Sequence, residues 1–156
     1  LRRNILQEMG ARLKLYGYVY DGYAAHINTL QSYYDRSMEL LSTAVRQALF
    51  CPQRPVYGKE NDSPSGYIDP DGGCVNSLIA DGCDIRGSVK NCILFRNVRI
   101  ERGASVENCI LFKDTVVKKG ASLHSVITDK YVTVSENVIL TGHERYPMVV
   151  AKGVTV

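Results

Sequence analysis

Hydrophobic residues in the second half of this chain recur at steps of six, six and five. Val89, Phe95, Ile100, Val106, Phe112, Val117, Leu123 and Val134 each open such a step. The fifth place is small or branched at Ile93, Ala104, Ile110, Val116, Ala121, Ile127 and Val138. A six-residue step is not helical, because it scatters these positions around a 3.6-residue turn. It suits a short strand followed by a bend. Three such strands close a triangular coil, and coils stacked at about 4.8 Å pair each strand with its equivalents above and below. The octapeptide Ser88-Val89-Lys90-Asn91-Cys92-Ile93-Leu94-Phe95 returns as Ser105-Val106-Glu107-Asn108-Cys109-Ile110-Leu111-Phe112, differing only at Lys90/Glu107. A weaker copy follows, Ser122-Leu123-His124-Ser125-Val126-Ile127. Self-similarity at a fixed short period marks a solenoid, here a parallel β-helix. Val89/Val106/Leu123 and Ile100/Val117/Val134 are expected to stack in columns, with Gly103 and Gly120 at a corner where a permissive backbone is useful.

The pattern is irregular at both ends. Cys74-Val75-Asn76-Ser77-Leu78-Ile79 fits a hexad, but Ile85-Arg86-Gly87-Ser88 is two residues short, which predicts a tightened corner. After Leu140 the repeat fails. Residues 141–147 read as a loop and 148–151 as a last strand, and this tail is expected to cap the open end. The first half has no hexads. Residues 1–9 read as the end of a helix stopped by Gly10, and 11–20 alternate as a strand would. Asn28 with Gln31 resembles an N-cap pair. Leu30, Tyr34, Met38 and Leu41 then share a helical stripe, and a second short helix covers 43–50. Pro52, Pro55, Pro64 and Pro70, with Gly66, Gly72 and Gly73, mark an extended connection. The expected organisation is 1–55 as the end of an α/β domain whose body lies upstream, 56–73 as linker and 74–156 as β-helix with cap. Leu1 is not an initiator, and the chain is read as a piece of a longer protein.

Composition narrows the class. The chain has 156 residues, 45% of them hydrophobic, and a net charge of +3 without a dense basic run, too mild to argue for nucleic acid. The longest apolar stretches are far short of a membrane span, and no signal peptide is visible. Five cysteines form no CxxC pair and are expected to be reduced in a cytoplasmic protein, and zinc is not expected.

Several segments, in order, resemble the C-terminal part of the ADP-glucose pyrophosphorylases (glucose-1-phosphate adenylyltransferases). They are Tyr33-Tyr34-Asp35-Arg36-Ser37-Met38-Glu39-Leu40-Leu41, then Arg54-Pro55-Val56-Tyr57, then Val75-Asn76-Ser77-Leu78-Ile79-Ala80-Asp81-Gly82-Cys83 with the repeats behind it. Gly58 departs from the second motif. The resemblance implies a left-handed β-helix behind the tail of a nucleotidyltransferase domain. It also implies a complete enzyme that joins ATP and glucose 1-phosphate, with Mg²⁺, to give ADP-glucose and pyrophosphate. Catalytic members carry a W-x-D-V-G-T-like segment whose Asp helps hold Mg²⁺. Here the aligned run is Ala25-His26-Ile27-Asn28-Thr29, so His26 replaces the carboxylate. Imidazole suits a hard cation poorly. The resemblance is therefore to the GlgD-type subunit, a weakly catalytic or non-catalytic companion of the catalytic GlgC-type subunit in glycogen synthesis. It implies a regulatory and scaffolding role in a hetero- or homo-oligomer assembled through the β-helix. No catalytic, cofactor-binding or metal residue is assigned within the chain.

Candidate sites remain few. Arg96, Lys113 and Lys130 recur in one column and form a basic ridge able to bind phosphate or sulfate groups, against the plainer reading of a charged ridge. The resemblance adds that anionic metabolites regulate this family near the junction of its two domains. His124, or less strongly His143, is the candidate general base for an alternative function, a hexapeptide acyltransferase using an acyl-coenzyme A donor. A solvated polar column, which tolerates Lys90, Glu107 and His124 alike, is the plainer explanation of His124. A purely structural β-helix is a third reading.

Overall fold

The computed structural model describes residues 2–10, 12–58 and 62–156. The six-six-five pattern folds into three parallel sheets of five short strands each. The first face stacks Tyr67–Ile68, Asp84–Ile85, Arg99–Ile100, Val116–Val117 and Thr133–Val134. The second stacks Gly73–Val75, Ser88–Lys90, Ser105–Glu107, Ser122–His124 and Ile139–Thr141. The third stacks Leu78–Ile79, Ile93–Leu94, Ile110–Leu111, Val126–Thr128 and Met148–Val150. Register follows the repeat: Val89 lies against Val106 and Val106 against Leu123, while Ile100 lies against Val117 and Val117 against Val134. These columns, with Ile85, Leu94 and Leu111, are all buried and make the core.

The one difference between the two octapeptides has a physical role. Lys90 and Glu107 are direct cross-strand partners, and their side chains pair at 2.8 Å. Two identical charges there would oppose each other across adjacent strands.

Corners are turned by left-handed residues. Asn76, Asn91, Asn108 and Ser125 turn one edge with φ between 44° and 54°. Asn97, Asp114 and Tyr131 turn another, and Gly103, Gly120 and Asn137 the third. Asparagine and aspartate tolerate this conformation better than other non-glycine residues.

The tightened corner is present. Ile85 pairs with Ile100 and Ser88 with Ser105, so Ile85 to Ser88 spans in four residues what the next coil spans in six. The chain can take this short cut because residue 87 is glycine. A Cβ there would lie 2.4 Å from the Ala104 carbonyl oxygen and 2.8 Å from that of Glu101.

Several expectations are corrected. The solenoid begins with Tyr67–Ile68, inside the stretch expected as linker, because this strand pairs with Asp84–Ile85. Residues 14–20 form no strand, and Ala11 lies outside the described residues. Alternation alone does not make a strand without a neighbour to pair with, and Leu13 and Leu15 are exposed. The N-terminal helical segment is a wide turn over Arg2–Gln7, and Leu1 lies outside the described residues. Helix α1 (Leu30–Glu39) is capped one residue later than expected: Thr29 Oγ1 accepts from the Ser32 N–H, and Ser32 Oγ accepts from the Thr29 N–H. Helix α2 runs Thr43–Leu49. The last strand expected over 148–151 is present as Met148–Val150, which extends the third face, and Thr155 bridges to Thr133.

Gly87→Ala should destabilise the fold by ~2 kcal/mol or more, because the new methyl meets backbone that belongs to the adjacent coil. Thermal unfolding should show Tm lowered by about 5 °C; an unchanged Tm would mean that the short corner relaxes freely.

Candidate functional site

The third face differs from the other two. Its strands come from continuous apolar runs, Cys92-Ile93-Leu94-Phe95 and Cys109-Ile110-Leu111-Phe112, and such runs fit burial on both sides. Leu94 and Leu111 point into the prism. Ile93, Ile110 and Ile127 form an outer column with Leu78, and α1 lies over it with Tyr33, Tyr34 and Met38, followed by Leu41. Of the expected helical stripe, Tyr34, Met38 and Leu41 make this contact and Leu30 is exposed.

Tyr34 is the anchor. It is buried, and its hydroxyl donates to the Asn108 carbonyl at 2.6 Å. Burial pushes its phenol up to about 12, partly opposed by a hydrogen bond with Ser125. Asn108 also belongs to a ladder of side-chain amides along that edge. Asn76 Nδ2 donates to Asn91 Oδ1 at 2.8 Å and Asn91 Nδ2 to Asn108 Oδ1 at 3.2 Å. Asn108 Nδ2 then lies 3.4 Å from His124 Nε2. With Nε2 accepting, the ring proton is assigned to Nδ1, 3.2 Å from Ser125 Oγ. Both nitrogens of His124 are thus engaged within the ladder, whereas a general base needs a free lone pair aimed at its substrate. His143 Nδ1 accepts from the Arg145 N–H at 3.1 Å, inside a tight loop closed by His143 and Tyr146.

The sequence-derived basic column is assembled beside the junction. The carbonyls of Arg96 and Lys113 accept from the N–H groups of Asp114 and Tyr131, each at 3.0 Å, and Lys130 from Gly153 at 3.0 Å. This coil-to-coil bonding holds the three residues in register. Together with Phe95, Phe112, Ala80 and Gly58 they line a cavity of about 560 Å³. Lys113 Nζ lies 3.4 Å from Asp114 Oδ2. The two phenylalanine rings, whose orientation the sequence left open, stack outside the core with centroids 4.6 Å apart and planes within 3°. Tyr33 of α1 extends the stack at 6.3 Å from Phe112. The wall therefore offers aromatic faces beside three cations, a combination suited to a compact organic anion.

His26 is exposed on the segment before α1. Among the described residues no group of three or more His, Cys, Asp or Glu is placed to hold a metal. At its position His26 offers an imidazole nitrogen, whereas Mg²⁺ takes oxygen ligands. All five cysteines are free thiols. Cys92 and Cys109 stack in the core, where each Sγ accepts a long N–H contact of 3.4 Å from the next coil. Burial pushes the Cys109 thiol up. No helix among the described residues is long and apolar enough to cross a membrane.

A family model described as GlmU-like, C-terminal hexapeptide matches residues 66–156. The chain belongs to that family. Over 148 residues, coils included, it is 43% identical to Glycogen biosynthesis protein GlgD of Bacillus subtilis (strain 168), a match covering 95% of this chain and 43% of that protein. It is 46% identical over 68 residues to GlgD of Geobacillus stearothermophilus, covering 44% of this chain and 20% of the relative. It is 36% identical over 90 residues to glucose-1-phosphate adenylyltransferase of Acetivibrio thermocellus, covering 58% and 21%. The chain spans less than half the length of each of these relatives. The likeness read from the Tyr33 helix, the Arg54 motif and the repeats is borne out, and the match with B. subtilis GlgD reaches well beyond the hexapeptide coils into the first half of the chain.

Sequence reasoning missed Tyr34 as an anchor and the amide ladder. The ladder did leave a signal, since Asn91 and Asn108 hold the same place in the two octapeptides.

Tyr34→Phe should cost about 1 kcal/mol through the lost hydrogen bond to a buried carbonyl. The raised phenol also fixes a pH dependence. The folded state holds the Tyr34 proton more tightly than an unfolded chain, whose tyrosines titrate near 10. Its contribution is present below about pH 10 and is lost as pH rises toward about 12. Ultraviolet titration should show one of the ten tyrosines ionising last, and Tyr34→Phe should remove that step.

Proposed function

We propose that this chain belongs to a GlgD-type subunit of a bacterial glucose-1-phosphate adenylyltransferase and supplies assembly surface and effector contacts in glycogen synthesis. The observation that carries this reading is the alignment with Glycogen biosynthesis protein GlgD along 95% of the chain, through the first half as well as the coils. His26, in the segment where the family's catalytic members place a metal-binding Asp, supports a subunit whose own catalysis is weak or absent. Its partner is then a catalytic GlgC-type subunit. Nucleotidyl transfer depends on positioning and on neutralising the phosphate charges with metal and basic side chains.

In this reading the solenoid is a rigid spacer whose strand-to-strand bonding fixes α1 relative to the basic column. Arg96, Lys113 and Lys130 beside Phe95 and Phe112 are the effector contacts, taking an anionic metabolite at the α1–solenoid junction. His124, locked in the ladder, gives the acyltransferase alternative no support.

Purified full-length protein should make little or no ADP-glucose from ATP and glucose 1-phosphate. Added to its catalytic partner, it should change that partner's rate or effector response. Ordinary enzymatic rates from the protein alone would refute the proposal. Lys113→Ala with Lys130→Ala should leave the mixed assembly intact by gel filtration and shift its half-maximal effector concentration about tenfold or more; unchanged effector response would remove these residues from that role.

A further inference from the structure

The short corner at Arg86-Gly87 leaves a recess on a different edge of the prism. This coil turns two residues early, and the recess lies between it and the coils that follow, which contribute Arg99, Arg102 and Lys119. The resulting cavity has a volume of about 500 Å³ and is lined by Arg86, Arg99, Arg102 and Lys119, with Asp84 and Glu101 and the inner residue Ile100. Four cations thus face two carboxylates.

The carboxylates in this recess are already engaged. Arg86 forks onto Asp84, with Nε 3.0 Å from Oδ1 and Nη2 2.8 Å from Oδ2. Glu101 Oε2 accepts the Lys119 backbone N–H at 2.9 Å. Arg102 reaches across the shortened coil to Asp69, Nη2 to Oδ2 at 3.1 Å, where Asp69 is nearly buried and also accepts the Asp71 N–H at 3.0 Å. These pairs hold two guanidinium groups in place without exhausting them. An arginine has five N–H donors, and neither Arg86 nor Arg102 uses all of its own here. Half or more of each side chain remains solvent-accessible, 50% for Arg86 and 65% for Arg102. Among the described residues, no side-chain ion pair engages Arg99 or Lys119.

We propose that the recess at the short corner is a binding site for a small multivalent phosphate, gripped by Arg99 and Lys119 and by the spare donors of Arg86 and Arg102. Guanidinium forks match phosphate oxygens two at a time, and Lys119 adds a point charge. The site is separate from the Arg96–Lys113–Lys130 column and does not depend on the role given to that column.

Inorganic pyrophosphate is the probe, titrated calorimetrically into full-length protein carrying Lys113→Ala and Lys130→Ala, so that the other basic edge is disabled. Saturable binding that persists in this background, exceeds that of inorganic phosphate, and weakens tenfold or more on adding Arg99→Ala and Lys119→Ala is the expected result. Both of the latter residues are exposed, so their truncation leaves the core intact. A second variant lengthens the corner by two residues after Arg86, restoring the span of the next coil and filling the recess; where it folds, by circular dichroism, pyrophosphate binding should be lost. Absence of binding in the Lys113→Ala, Lys130→Ala protein would overturn the proposal. So would affinity that survives Arg99→Ala with Lys119→Ala.

Discussion

No coil of this solenoid satisfies its own backbone. The N–H of Ser88 bonds to the Ala104 carbonyl, that of Ser105 to Ala121 and that of Ser122 to Val138, each one coil further on. Every strand therefore needs an in-register neighbour, and a slip of one residue would turn the core columns out to solvent. That constraint explains the repeat. It demands equal coil lengths, a left-handed residue at each edge and side chains compatible with their own equivalents above and below. The amide ladder from Asn76 to His124 meets the last demand with hydrogen bonds, the Lys90–Glu107 pair with opposite charges, and the Phe95–Phe112 pair with ring faces.

Where the equal-length rule is broken, the breach is contained by a single glycine. Gly87 allows the chain to press against the Ala104 and Glu101 carbonyls, and the pairing on either side returns to register within one strand. Arg102 then spans the gap to Asp69, where the Asp71 N–H and the Arg102 guanidinium hold the carboxyl below the usual range. A nearly buried carboxylate without these donors would be costly. The corner is thus compatible with the fold because each of its carboxylates, Asp69, Asp84 and Glu101, has a donor.

The solenoid was legible because its signal is repeated: the octapeptides, the hexad columns and the missing two residues each have one structural meaning. The first half was less legible. Residues 11–20 alternate like a strand, but periodicity does not report whether a pairing edge exists. The cap was misplaced by one residue because Asn28, Thr29 and Ser32 all carry capping chemistry, and Asn28 does join the network through Ser32 Oγ. The basic column was readable as a column, while its aromatic wall depended on which way Phe95 and Phe112 face. The recess was half readable. The deletion was visible, but its charge lining draws on residues as far apart as Asp84 and Lys119.

Interior and edges answer to different constraints. A core column must fit the side chains of its neighbouring coils at interior packing density, so a change at Val106 is felt by Val89 and Leu123 together. An edge side chain lies outside that packing, and its neighbours are polar groups and solvent, as in the Lys113–Asp114 and Arg86–Asp84 pairs. Lys113 and Lys130 on one edge, and Arg99 and Lys119 on another, can therefore vary in charge without disturbing the core stack that positions them, whereas Arg102 is tied to Asp69. Yet the backbone beneath them is among the most constrained in the molecule, bonded on both sides. Charged groups on so fixed a base give up little backbone freedom when they meet an anion, and that entropy is a large part of what a flexible loop loses on binding. The same rigidity extends to α1 through Tyr34, whose hydroxyl bonds to Asn108, a member of the ladder. Any force that moves the helix must break a buried hydrogen bond or carry the coils along with it.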